Sequence, residues 1–396
     1  MRLTFKFRIL HLQAFLLGIA TVFDAAYVKE IFSQYYIVQN AIFILTVFIF
    51  ALYIKKDRVR MNLSFVMLLI YCAYLGFGTL INNASIYNYA NRMFIIVAFS
   101  LVLYLVKSEE ELISILKIWR TILLLMLLID VLTMILYPEG LYTSVHDYET
   151  YTNCWFLGYK TNRLLYTLPL LLFDSYVVLR KNQKIRVFQY FIYALIVGDI
   201  LYSNATMGSM VVGIYIIGYL SLYSMKPDHL SKNIIYKGML NYKIYGIAYA
   251  VVFVTVVIFQ SNRFIQNIAA TYFSKGIDFN NRFPIWTLSL DAFAKKPLLG
   301  YGMLSASDYL RITGFAVNPH NMLLTILLTG GIIGLVLMVA YYLVSMRGAK
   351  PNRQNAMLIF GVYLVLLLGI TSSTLVYSPY VYAAISLMSL RDFKKG

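Results

Sequence analysis

The chain has 396 residues, of which 60% are hydrophobic and only 13% charged, with a mean hydropathy of +0.71. A soluble protein of this length would divide into two or three domains; this composition excludes that and indicates a polytopic membrane protein. The net charge of +17 does not imply nucleic acid as a partner, because basic residues concentrate in the short loops that membrane proteins keep in the cytoplasm.

Apolar runs close to the ~20 residues needed to cross ~30 Å of hydrocarbon recur along the chain. Each satisfies its own backbone polar groups by being helical. Spans are predicted at 8–26, 36–54, 62–82, 92–107, 117–137, 163–179, 187–203, 206–225, 242–260, 319–346, 354–373 and 376–390. The runs 92–107 and 376–390 are short for full crossings. The first run follows Arg2, Lys6 and Arg8 and imitates a signal peptide, but no small-x-small cleavage site follows, so it reads as a retained anchor. The expected fold class is all-α: a transmembrane helical bundle of about twelve spans with a long extracytoplasmic loop containing an amphipathic helix. Residues 1–260 are expected as a nine-helix scaffold, 261–318 as the catalytic loop, and 319–396 as the last three helices.

With the N-terminus inside, 24 of the 34 Lys and Arg residues fall on the inner side, which places both termini in the cytoplasm. The outer ten are Lys29, Arg92, Lys160, Arg163, Arg263, Lys275, Arg282, Lys295, Lys296 and Arg311. Most lie in or beside the outer segments 138–162 and 261–318, where orientation does not require them, so something anionic is expected there. Cys72 and Cys154, the only two cysteines, lack metal-type spacing, which argues against a structural disulfide or zinc site. The many tyrosines and phenylalanines read first as core and interfacial-belt residues.

The long outer loop carries the candidate chemistry. Asn280 and Asn281 precede Phe283-Pro284, a helix-start signal. Phe283, Trp286, Leu290 and Phe293 recur at helical spacing, which predicts an amphipathic helix over about 283–295 ended by Pro297 and Gly300. Arg282 then sits at the helix N-terminus, where free N–H groups favour an anion and a guanidinium suits phosphate oxygens; the alternative is an Arg bonding lipid headgroups. Asn318 and Pro319 repeat the pattern, with Asn318 as cap and His320 expected in the first turn of the next span. There the dipole disfavours the imidazolium, which suits a general base; the alternative is a structural histidine at the water interface. Gly330, Gly331 and Gly334 read as close helix packing.

Arg163, at the outer mouth of the sixth span, is either a second anion ligand or a positional anchor, and Arg92 is a weaker candidate of the same kind. Asp130, Asp174 and Asp199 fall within or near spans, where ionisable groups are costly and often functional; Asp199 is expected near the cleft and Asp174 reads as structural. His11, His146 and His229 form no metal set with His320. The lack of an acidic pair in the loop argues against a metal-dependent transferase, and no cofactor is called for.

The order Arg282-x-x-x-Trp286, then Pro297-Leu298-Leu299-Gly300-Tyr301-Gly302, then His320-Asn321, then Gly330-Gly331-x-x-Gly334 resembles the O-antigen ligase and Wzy-type polymerase superfamily of bacterial membrane glycosyltransferases. The resemblance covers about 70 residues, the stretch 262–334. The resemblance implies metal-independent glycosyl transfer on the outer face of the bacterial cytoplasmic membrane, from a glycan carried on a polyprenyl (undecaprenyl) diphosphate. It assigns Arg282 and Arg163 to the diphosphate, His320 with Arg282 to catalysis, and Asn321, Trp286, Gly300 and Gly302 to support. It implies membrane lipids, a flippase and a chain-length regulator as partners. The family often carries a Ser-Arg-Gly-like stretch near the middle of the chain; here Ser203 to Ser209 contains no arginine, which puts a third basic contact in doubt. The leading reading is a polymerase joining lipid-linked repeat units into capsule or O-antigen. The alternatives are a ligase to a lipid or protein acceptor, a flippase for the lipid-linked unit, and a purely structural membrane protein.

Overall fold

The computed structural model describes residues 9–56, 62–146, 150–181, 184–203, 205–225, 227–259 and 282–390. Sixteen α-helices lie in these segments. In chain order they begin with α1 Ile9–Val22, α2 Ala26–Ile31, α3 Tyr35–Lys56, α4 Leu63–Ile81, α5 Ile86–Tyr104 and α6 Glu109–Leu136. They continue with α7 Leu164–Arg180, α8 Val187–Tyr202, α9 Thr206–Ser224, α10 Ile234–Leu240 and α11 Tyr242–Phe253. The last five are α12 Arg282–Lys295, α13 Ala306–Thr313, α14 Met322–Arg347, α15 Arg353–Leu368 and α16 Pro379–Met388.

Several helices start where the sequence supplies a side-chain cap. Asn62, Ser85 and Ser108 accept from the backbone N–H three residues on, at the heads of α4, α5 and α6, satisfying donors that the first turn leaves free. Ser305 and Asp308 form a reciprocal capping box for α13, and Gly314 closes it in the left-handed conformation (φ 79°).

Five helices, α4, α5, α6, α9 and α14, are long and apolar enough to cross a membrane; the bent pair Ile234–Leu240 and Tyr242–Ile258, angled by 71°, would make a sixth. This is an integral membrane protein, but by length and composition the described helices give fewer crossings than the twelve expected. The physical reason is visible in α16. Its ten residues are almost all buried in protein, so it does not have to match the hydrocarbon thickness. Trp119 anchors the centre of the bundle: its ring stacks on Phe99 with centroids 4.7 Å apart, and its indole nitrogen donates to the Ala14 carbonyl at 2.9 Å. Tyr380 meets Phe99 edge-on and bonds Thr21 Oγ1 at 2.7 Å, tying α16 to α5 and α1.

The all-α expectation needs one correction. Strands β1 Tyr142–His146 and β2 Thr150–Cys154 pair antiparallel, Tyr142 opposite Cys154. Trp155, just after the second strand, donates to the Tyr137 carbonyl at 2.8 Å and so ties this segment back to the end of α6. The cysteines are both free and buried.

The second departure concerns the glycines of α14, which do more than permit close packing. The helix is broken at Gly331, whose φ of 62° and ψ of −163° are not helical and lie in a region essentially restricted to glycine. The loop after α12 enters the break and replaces the lost ladder. Tyr301 and Gly302 donate their N–H groups to the Leu328 and Thr329 carbonyls at 2.7 and 2.9 Å. Ile332 and Ile333 donate to the Pro297 and Leu298 carbonyls at 2.8 and 3.3 Å. The Tyr74 hydroxyl, from α4, donates to the Gly330 carbonyl at 2.9 Å. Each such group left unpaired away from water would cost several kcal/mol, so loop and helix form one hydrogen-bonded unit.

Candidate functional site

The amphipathic helix predicted over 283–295 is present as α12. Trp286 is fully buried, with Phe283, Leu290 and Phe293 packed against the same cluster. The expected capping pair Asn280-Asn281 lies outside the described residues, as do Arg263 and Lys275. Arg282 is the first residue of α12, partly buried at its N-terminal end.

Trp286 has a specific role in placing His320. Its indole nitrogen donates to the Pro319 carbonyl at 2.8 Å. On the other side, the Asn318 side-chain oxygen accepts from the His320 backbone N–H at 2.9 Å and from the Ser373 hydroxyl. Between these anchors His320 takes a φ of 48°, uncommon for a residue with a side chain and found where the surroundings fix it. The expected first-turn placement is therefore corrected: α14 begins at Met322, the cap is Asn321 rather than Asn318, and His320 lies outside the helix. Asn321 explains itself twice. Its side-chain oxygen accepts from Leu324 N at 3.0 Å, and its amide nitrogen donates to the Ile370 carbonyl at 2.8 Å.

Gly300 and Gly302 support the site through backbone proximity. Both have positive φ, 65° and 79°. A Cβ on Gly300 would lie 2.6 Å from Gly331 N, and one on Gly302 would lie 2.8 Å from Thr79 N. Only glycine lets the loop pass between the broken helix and α4.

These elements enclose a cavity of about 630 Å³. Arg282, Arg92 and His320 all line it, beside Tyr159, Asn162 and Tyr309, and among the described residues its wall contains no Asp or Glu. Arg92, on α5, sits over the Tyr377 ring at 5.3 Å and has no carboxylate partner among the described residues. Burial pushes the Tyr309 phenol above its ordinary value, so it remains an uncharged donor. Among the described residues no group of three or more His, Cys, Asp or Glu could hold a metal ion.

Arg163 is not in that wall. Its side chain is 0% exposed, and its Nε reaches Asp130 at 2.8 Å and Asp199 at 3.2 Å, with the Trp155 ring at 5.1 Å. The expected position at an open outer mouth is thus corrected, as is the expected approach of Asp199 to the cleft: a buried cation requires compensating carboxylates, and Asp130 of α6 and Asp199 of α8 supply them. Asp130 also accepts from Leu157 N at 2.6 Å, so this cluster fastens the 155–163 segment that supplies Tyr159 and Asn162 to the cavity. Asp174 is structural as read, bound to Arg120 at 2.9 Å and Tyr193 at 3.0 Å. The sequence reading overlooked the hydroxyls of Thr371, Ser372, Ser373 and Thr374, which line the cavity between α15 and α16. Four consecutive Ser and Thr residues between apolar runs are a loop signal.

Residues 188–339 match the family model described as O-antigen ligase. Over this segment, less than half of the chain, the protein is similar to the O-antigen ligase family. The match runs from α8 through the break in α14, so it includes Arg282, Trp286, the 297–302 loop and His320. Arg92 and the 371–377 turn lie outside it. No curated protein matches the chain. The O-antigen ligase match supports a membrane glycan-transfer role acting on lipid-linked oligosaccharide.

Proposed function

We propose that the protein is a glycosyltransferase that polymerises polyprenyl-diphosphate-linked oligosaccharide units on the outer face of the bacterial cytoplasmic membrane. The observation that carries this reading is the convergence of Arg282, Arg92 and His320 on one cavity whose wall, among the described residues, has no carboxylate. Two guanidiniums suit the paired charges of a diphosphate, each offering a planar fork to its oxygens. In this reading Arg92 takes the second-ligand role first considered for Arg163, whose charge two carboxylates already balance.

The chemistry follows from that placement. Arg282 and Arg92 hold the diphosphate of the donor, and the positive end of α12 adds to the field. An acceptor hydroxyl oxygen forms a bond to the anomeric carbon while that carbon's bond to the diphosphate oxygen breaks. The bonding electrons leave with the diphosphate, whose developing charge the arginines stabilise. The hydroxyl proton passes to the imidazole of His320. Fixing His320 through its backbone on both sides keeps the base in place without reorganisation during the reaction.

A ligase is the second reading, favoured by the description of the matching family. The deciding experiment incubates purified protein in detergent with its lipid-linked repeat unit and no other acceptor, then separates products by size. A ladder of whole units is expected. Transfer only after a lipid or protein acceptor is added would make it a ligase. No transfer to any acceptor from a verified cognate donor would refute both readings and leave transport of the lipid-linked unit.

A further inference from the structure

A second cavity of about 320 Å³ lies beside the first. Arg92, Thr374 and Tyr377 line both and so form the partition between them. The second cavity is walled by α1, α2, α3, α5, α7 and the start of α16, entirely outside the segment matched to the family.

Its chemistry differs from that of the first. Lys29 pairs with Asp24 at 2.7 Å, which cancels the charge at that end, and Arg92 stands at the partition. Among the described lining residues no second unpaired cation is available to hold a diphosphate. What the wall offers instead is carboxamides and phenol rings. Gln39 and Asn88 each donate one bond to a backbone carbonyl, at 3.3 Å in both cases. The Asn91 side chain makes no hydrogen bond among the described residues, although it lines the cavity. Tyr35, Tyr87 and Tyr166 add rings that combine an apolar face with a hydroxyl. A carboxamide both donates and accepts, which matches the adjacent hydroxyls of a sugar, and an aromatic face packs against a sugar's C–H surface. The volume lies at the small end of the ~300–1,000 Å³ typical of small-molecule sites, room for a short saccharide and not a chain.

We propose that this cavity binds the terminal, uncharged sugar of the acceptor and presents its hydroxyl past Arg92, Thr374 and Tyr377 to His320. This inference rests on the transfer reaction proposed above. The donor belongs in the other cavity, because its anomeric carbon must lie beside the diphosphate that Arg282 holds.

The test uses the repeat-unit oligosaccharide freed from its lipid by hydrolysis of the diphosphate. This probe keeps the acceptor hydroxyl but has no leaving group, so it can act only as an acceptor. Its equilibrium binding to purified wild type, Asn91→Ala and Tyr87→Ala is measured by calorimetry. KM for probe and for lipid-linked donor is then measured separately. Each substitution is expected to weaken probe binding and raise acceptor KM by about tenfold, the effect of one good polar or stacking contact, with donor KM unchanged. Tyr87→Trp, which keeps a ring, is expected to retain binding. Unchanged probe binding in both alanine variants, or a rise in donor KM alone, would overturn the proposal. A wild type that binds the probe but transfers nothing would overturn the reaction while leaving the sugar site standing.

Discussion

Gly331→Ala tests whether the break in α14 holds the site together. An alanine at φ 62° and ψ −163° carries roughly 1–3 kcal/mol of backbone strain. Its Cβ would also collide with the Leu298 carbonyl, so the inserted loop must move. Four backbone hydrogen bonds cross this junction, each with a net value of about 0.5–1.5 kcal/mol. Losing two of them brings the total to roughly 2–6 kcal/mol. The assay is thermal unfolding in detergent, followed by retention of the monodisperse peak, with transfer measured on the surviving protein. Gly213→Ala in α9 is the matched control, because its Cβ would meet nothing within 4 Å; it should be neutral or stabilise by up to about 1 kcal/mol. Gly331→Ala should melt well below both wild type and control. If it melted with the control and transferred at the wild-type rate, the stitched-helix argument would be wrong.

Arg282→Ala and His320→Ala should each abolish transfer while leaving membrane insertion and the melting temperature near wild type, measured by product ladder and unfolding; full activity in both would remove the catalytic assignment. Trp286→Phe keeps the buried ring but strands the Pro319 carbonyl, so about 1–3 kcal/mol of stability should go, with kcat falling more than donor KM rises. Arg163→Ala should act on folding and not on substrate affinity. It leaves Asp130 and Asp199 facing each other in a buried site, a cost of about 3–5 kcal/mol, read as loss of folded protein; a stable variant with raised donor KM would return Arg163 to the diphosphate. Arg92→Ala should raise donor KM with little change in melting, since its side chain is exposed to the cavity.

The membrane helices and the Arg282–Trp286 helix were legible because apolar length and 3.6-residue periodicity are local properties. What escaped depended on distant partners. Gly330-Gly331 inside an apolar run reads as close packing, and only the approach of Leu298 and Tyr74 turns it into a break. Arg92 ranked low because Ile86 to Asn91 is polar for a span; in the structure those residues form the first turns of α5 and carry Arg92 to the cavity. Thr371 to Ser373 fall inside the crossing predicted at 354–373 because their neighbours are strongly apolar. Arg163, Asp130 and Asp199 were each noticed as charges in or beside spans, but nothing in one-dimensional order says that they share a site. The hairpin strands 142–146 and 150–154 lack the hydrophobic alternation that announces a strand, and the expected helix start beside His320 is three residues early because Asn321 and not Asn318 is the cap.

The break in α14 also constrains the order in which the chain can be built. A continuous helix enters a membrane with its hydrogen bonds already made, but α14 cannot, because the Leu328, Thr329 and Gly330 carbonyls find their donors in Tyr301, Gly302 and Tyr74. The first two precede the helix by fewer residues than the helix itself contains, so they leave the ribosome just before it. Tyr74 is separated from Gly330 by 256 residues and must wait in place while α5 to α13 are made. The late helices therefore mature against an assembled early bundle, and damage to α4 should first appear as a failure of biogenesis.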